Sequence, residues 1–198
     1  SDLGNELGNL LNRIIGMSGK YSNGVVDSKD VLKFYPNELK SVEDILSTVE
    51  NTLLELQTNR YLEELWKALT VANQSITLHE PWVKMKEGKE DEAFALVALV
   101  SNILARVSVL LHPIMPKTTT TIAHAMGFTI DTAHYEKLLT QKAMLETFTI
   151  EKVPPLFPRI EEELMAQPEA PAPIPVVVKS KKESKKEESI ITIDQFFE

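Results

Sequence analysis

Asn5, Asn9 and Arg13 stand at i, i+4 and i+8 in the opening stretch, with Asn12 and Gly16 beside them. At about 100° per residue this spacing stacks the three on one helix face, roughly opposite a stripe of Leu3, Leu7, Leu10, Leu11 and Ile14. Asparagine is a poor helix former, so a helix that spends several exposed positions on it accepts a propensity cost. Planar amides and guanidinium groups make paired hydrogen bonds to base edges, and such a ladder suits the reading of unstacked bases. An inert polar face remains open as the other reading, since most polar helix faces are that.

A second group gathers around Glu80-Pro81-Trp82. The residue before a proline is pushed out of the α region, so this tripeptide is a corner. His79 precedes it, and Lys84 and Lys86 follow. An exposed aromatic ring among cations suits single-stranded RNA, the ring stacking on a splayed base while the cations meet phosphates. A tryptophan folded over its own helix as a lid is the equal alternative. Trp66, by contrast, lies on a helix stripe between Leu62 and Leu69 and is expected in the core.

Little else in the sequence could do chemistry, and no catalytic residue is assigned. The four histidines, His79, His112, His124 and His134, include no pair three or four apart, and there is no cysteine, so no metal site and no thiol nucleophile is expected. Carboxylate clusters such as Glu63-Glu64 and Glu161 to Glu163 read as solvated faces. Gly4 and Gly8 sit within a helical pattern and suit close helix packing, and Asn73-Gln74-Ser75 matches a glycosylation sequon placed mid-helix. With 21 basic and 29 acidic side chains the net charge is −8, the wrong sign for a chain that wraps nucleic acid, so any such contact must be local. No uninterrupted apolar run reaches the roughly 20 residues that cross a bilayer, and the first ten residues lack the features of a signal peptide. The expectation is a cytoplasmic protein with no membrane partner. Lacking an initial Met, the sequence reads as an excised piece of something longer.

The elements that must position these residues read as helices, because apolar residues recur three and four apart and β-type alternation is scarce. A first helix over the leucine stripe closes at Gly16 and Gly19. A second starts at Pro36 and carries Val42, Ile45, Leu46, Val49, Leu53 and Leu56 towards Thr58. A third runs from Asn59 to the Pro81 corner, and a fourth, from about Asp91 to Leu111, is apolar nearly all round and suits the centre of a bundle. A short fifth helix begins near Pro116 and stops at Gly127. Leu156-Phe157-Pro158-Arg159-Ile160 is an apolar clip that packs the chain end back on the bundle. The expected fold is an all-α bundle of about five helices, almost wholly helical, over residues 1–163. Residues 164–189, rich in Pro and then in Lys and Glu, read as a disordered linker, and 190–198 as the first strand of a further module.

In order and approximate spacing, Asp2-Leu3-Gly4-Asn5 through Asn12-Arg13, Ala72-Asn73 leading to Glu80-Pro81-Trp82, Leu110-Leu111-His112-Pro113-Ile114-Met115-Pro116 and Leu156-Phe157-Pro158-Arg159-Ile160 resemble the C-terminal anticodon-binding domain of bacterial methionyl-tRNA synthetases. The Pro-Trp corner is the feature that singles out the methionine enzymes among related class I synthetases. The final Ile191-Thr192-Ile193-Asp194-Gln195-Phe196-Phe197 is similar to the opening of the OB-fold tRNA-binding module that many of them append. The resemblance implies that Asn9 and Arg13 hydrogen-bond the first two bases of the CAU anticodon and that Trp82 stacks on the cytosine. Asn5, His79, Lys84 and Lys86 are then supporting or RNA-backbone contacts. It implies methionine tRNA as partner, through its anticodon loop, and a homodimer through the appended module. Neither the His-Ile-Gly-His nor the Lys-Met-Ser-Lys-Ser motif of the class I catalytic domain occurs, so ATP and a zinc ion would belong to a catalytic domain outside this chain, which should be inactive alone. Two competitors remain: the equivalent domain of another class I synthetase, and a non-catalytic helical protein–protein adaptor.

Overall fold

A computed structural model describes residues 3–158, with side chains from Glu6 onward except that of Glu50. The end of the body at 163, the linker over 164–189 and the strand over 190–198 lie outside the described residues.

A π-helical turn, Leu3–Gly8, leads into α1 (Asn9–Ser22). Gly16 and Gly19 lie inside α1 instead of closing it: a Cβ at either would meet nothing, and the helix stops only where Asn23 and Gly24 supply left-handed geometry, at φ 52° and 84°. A short helix that the sequence reading did not expect, α2 (Val31–Phe34), precedes Pro36, and the second expected helix is broken into α3 (Pro36–Leu46) and α4 (Val49–Leu54). At the break, the Ser47 and Thr48 hydroxyls donate to the carbonyls of Asp44 (2.7 Å) and Ile45 (2.9 Å), offering the backbone an alternative to the helical ladder. Then come α5 (Thr58–His79), α6 (Pro81–Lys86), α7 (Glu90–Leu111), α8 (Pro116–Ala125) and a single turn, α9 (Thr132–Tyr135), followed by a π-helical turn at Glu136–Thr140.

The all-α expectation holds, with one addition. β1 (Val25–Asp27) pairs antiparallel with β2 (Thr147–Thr149), Val26 facing Phe148. Three-residue strands are too short to show a period of two, and their pairing spans most of the body, so no local pattern announces them.

The core is organised on α7, whose residues from Ala95 to Leu111 are all buried and which packs against α1, α5, α6 and α8. By length and mean hydropathy (2.2) α7 meets the requirement for crossing a bilayer, contrary to the expectation from uninterrupted runs, and 94% of that apolar window is enclosed by the fold. Acidic Glu90, Asp91 and Glu92 fill its first turn, where the helix dipole favours them. Two of its buried polar residues, Asn102 and Arg106, fasten the chain that leads to β2. The Asn102 amide donates to Ser28 Oγ (2.9 Å) and accepts from the Leu145 N–H (2.7 Å), while Arg106 Nη2 donates to the Lys142 carbonyl (2.8 Å). Trp66 is only partly buried against the core, with its Nε1 enclosed and without a hydrogen-bond partner among the described residues. Leu156 and Phe157 do pack on the core as a clip.

Candidate nucleic-acid interface

α1 and α5 lie side by side, and a groove of about 1020 Å³ opens between them. Asn9, Asn12 and Arg13 from α1, with Glu6 from the preceding turn, form one wall; Thr70, Asn73, Gln74, Thr77 and Leu78 from α5 form the other, and Glu80 stands at its end. The local cause is amphipathicity. Leu10, Leu11 and Ile14 of α1, and Leu65, Leu69, Ala72 and Ile76 of α5, are buried, which turns the intervening polar positions outward to face each other.

Arg13 Nη1 donates to Asn73 Oδ1 at 3.4 Å, and Asn73 Nδ2 faces the carbonyls of Leu69 (3.3 Å) and Glu6 (3.4 Å). Thr70 Oγ1 donates to the Trp66 carbonyl at 2.9 Å and lies 3.3 Å from a Glu6 carboxylate oxygen. The contacts across the groove are long for hydrogen bonds, and a guanidinium has five N–H donors, so most of the bonding capacity is left for a ligand. Arg13 is the one cation among the lining residues, against Glu6 and Glu80. Planar donors and acceptors on both walls, with little positive charge, suit the polar edges of unstacked bases better than a run of phosphates.

Two residues beyond Glu80 lies Trp82, 39% exposed, in the first turn of α6. Glu80 is left-handed (φ 43°), a conformation that costs a residue bearing a Cβ about 1–2 kcal/mol and persists only where neighbours enforce it. The neighbours here are specific. Pro81 is buried, His79 Nε2 pairs with Glu38 Oε1 at 2.7 Å, and the His79 ring meets the Tyr35 ring edge-on at 4.8 Å between centroids. The Tyr35 hydroxyl donates to the Glu92 carbonyl (2.9 Å), and Lys84 is ion-paired with the Glu92 carboxylate. The Lys84 hydrogen bond holds the Glu92 carboxyl below its ordinary value, and burial, with Glu92 and Glu38 nearby, pushes the Tyr35 phenol up.

Asn9 and Arg13 thus share the groove wall, and Trp82 stands just past its end. His79 and Lys84 are engaged by carboxylates under the corner, whereas Lys86 is exposed. Asn5 falls on the π turn, so the four-residue arithmetic of an α-helix holds from Asn9 to Arg13 but not from Asn5, whose side chain lies outside the described residues. The α5 wall was missed in the sequence, although Thr70, Asn73, Gln74 and Thr77 recur three and four apart opposite the buried stripe, the same signal that marked α1. Among the described residues no three His, Asp or Glu side chains gather as a metal site.

A family model described as the anticodon binding domain of methionyl tRNA ligase matches residues 36–170, which includes the Trp82 corner and the α5 wall but not α1. The methionine--tRNA ligase of Campylobacter jejuni is 46% identical over 197 residues, 99% of this chain and 30% of the relative; that of Helicobacter pylori strain J99 is 35% identical over 161 residues, 81% and 24%. The chain therefore spans less than a third of the length of these relatives. Among solved structures, the free form of Mycobacterium tuberculosis methionyl-tRNA synthetase shares the fold (TM-score 0.67, 21% identity) over 81% of this chain and 33% of that one. With the helical body, the α1–α5 groove and the Pro-Trp corner in hand, these matches establish that the chain belongs to the methionyl-tRNA ligase family, as its anticodon-binding domain.

Proposed function

We propose that the α1–α5 groove and the Trp82 corner read the CAU anticodon loop of methionine tRNA, so that a catalytic domain elsewhere in the ligase joins methionine to that tRNA using ATP. The observation that carries this is the convergence of Asn9 and Arg13, across from Asn73 and Gln74, on one groove with the exposed Trp82 ring just past its end. Asn9 and Arg13 take the polar edges of the first two bases, and Trp82 stacks on the first, the cytosine. Lys86, exposed on α6, is the better candidate for a phosphate contact than Lys84 or His79, which already hold carboxylates. Asn5 supports the entry into α1.

The acidic balance limits the electrostatic share of affinity, so discrimination rests on base contacts and the domain alone binds modestly. Without the class I ATP-handling motifs, the chain activates no methionine alone; ATP and zinc belong to the catalytic domain. The work is cytoplasmic, and dimerisation falls to a module beginning at 190–198. Fluorescence tests the reading. In a Trp66→Phe background Trp82 is the sole tryptophan, and a CAU stem-loop should quench it, whereas unchanged emission at saturating RNA would remove Trp82 from the site.

A further inference from the structure

A cleft of about 180 Å³ lies where the end of α3, the last turns of α7 and the π-helical turn at Glu136–Thr140 meet. It shares no lining residue with the α1–α5 groove. Leu46, Leu110, Leu138 and Leu139 give it an apolar side, and Leu110 and Leu138 are buried. Arg106 and Glu43 give it a charged one.

The charged pair is incompletely made. A guanidinium donates to a carboxylate at about 2.7–2.9 Å in a close pair, whereas Arg106 Nη1 stands 3.4 Å from Glu43 Oε1, and Glu43 has no other ion pair among the described residues. Arg106 is 2% exposed, and its Nε is enclosed without a hydrogen-bond partner among the described residues. Native folds leave few such groups, because a buried donor without a partner has given up its water for nothing. The side chain is nevertheless held in place. Arg106 Nη2 donates to the Lys142 carbonyl at 2.8 Å, and Lys142 is left-handed (φ 54°), a conformation that favours glycine and persists only where neighbours enforce it. The fold thus fixes a buried cation with donors unused, opposite a carboxylate too far away to satisfy it.

We propose that this cleft binds a free α-amino acid with an aliphatic side chain. Its carboxylate takes Arg106, its ammonium takes Glu43, and its side chain lies against the leucines. Charge selects this class of ligand. A simple anion on Arg106 meets the Glu43 carboxylate and a simple cation on Glu43 meets the guanidinium, whereas a zwitterion satisfies both. Lys142, exposed at the rim, adds a second positive group for the carboxylate. The Ser47 hydroxyl donates to the Asp44 carbonyl at 2.7 Å and keeps its own lone pairs for an ammonium. Size agrees: an apolar cavity of about 150 Å³ holds benzene, so one of about 180 Å³ takes a molecule of amino-acid size and is too small for a nucleotide. A ligand held by three elements that meet here favours the folded chain by mass action.

The inference does not depend on the anticodon reading, and the test uses no RNA. Calorimetric titration of this 198-residue chain with L-leucine is compared with 4-methylpentanoate, which lacks the ammonium, 3-methylbutylamine, which lacks the carboxylate, and inorganic phosphate. Side-chain NMR of the arginine Nε–H groups locates the ligand. The expected result is saturable leucine binding that shifts the Arg106 signal, with each of the other three at least roughly tenfold weaker, as the loss of a charged hydrogen-bond partner dictates. Glu43→Gln keeps an acceptor near Arg106 and removes the charge, so it should weaken leucine by a similar factor and spare 4-methylpentanoate. Thr140→Trp, at the exposed rim, fills the mouth and should abolish binding with the circular dichroism unchanged, which keeps the test decisive if Glu43→Gln fails to fold. Any of the three comparison ligands bound as tightly as leucine overturns the proposal, because the cleft then does not read a zwitterion. So does a shift at another arginine, or no saturable heat by roughly 10 mM leucine, where a millimolar site is about nine-tenths filled.

Discussion

Replacing Trp82 by leucine separates its two roles. A tryptophan buries some 150–250 Å² when fully enclosed, and with Trp82 at 39% exposure about 100 Å² of the ring is covered, worth roughly 2–3 kcal/mol at about 25 cal/mol/Å² as an upper estimate. Alanine would forfeit most of that and confuse folding with binding. Leucine keeps much of the apolar cover, so Trp82→Leu should cost about 1 kcal/mol of stability, which for a body of this size is about 2–4 °C in melting midpoint. It has no π face, however. Loss of base stacking is worth about 1–3 kcal/mol, and at 1.4 kcal/mol per decade the Kd for a CAU stem-loop should rise roughly 5- to 150-fold. Titration of labelled stem-loop, with circular dichroism melts on the same samples, reads both quantities. If Trp82→Leu binds as the parent does, the ring is a packing lid and the stacking argument is wrong.

Arg106 is 2% exposed with Glu43 Oε1 3.4 Å from its Nη1, and burial holds its pKa below the usual guanidinium value. Glu43→Ala leaves that cation unpaired inside and should cost about 3 kcal/mol, whereas Arg106→Met removes it, leaves the partly exposed Glu43 to water and should cost about half as much; urea midpoints in the opposite order contradict the asymmetry. Glu92 has a depressed pKa, so its contribution to the corner is fully present above the unfolded value of about 4.3 and is lost as pH falls below it. Near-ultraviolet dichroism should therefore hold steady to about pH 5 and change below about 4.3, and a change near pH 6 would implicate another group. Lys86→Ala should weaken all triplets alike and lower the salt slope by about one, while Lys84→Ala should lower the melting midpoint with the salt slope unchanged; the reverse pattern in binding and melting data would return the phosphate contact to Lys84.

The long helices were legible because each buries a continuous stripe, and α7 because it is apolar on every side. What escaped was short or non-local. The break at Ser47-Thr48 depends on hydroxyls that compete with the backbone, and the β1–β2 pair joins segments about 120 residues apart through three-residue strands. At the site, Asn9 and Arg13 could be read from α1 alone, since one helix face suffices to align them. The other wall could not be joined to them, because which faces of two distant helices meet is a fact of packing. His79 and Lys84 looked like free cations for the same reason: Glu38 and Glu92, which hold them, lie 41 and 8 residues away, and sequence proximity to Trp82 was the only relation visible.

The central claim, that the α1–α5 groove reads anticodon bases, is tested most directly by triplet discrimination in Arg13→Ala. Affinities of parent and variant are measured for a CAU stem-loop and for the three loops with one base changed. Arg13→Ala should lose about 1–3 kcal/mol on CAU, with discrimination collapsing at the first or second base and intact at the others, and keep its melting midpoint because Arg13 is exposed. Uniform weakening on all four loops, or an unaltered preference, would contradict the claim.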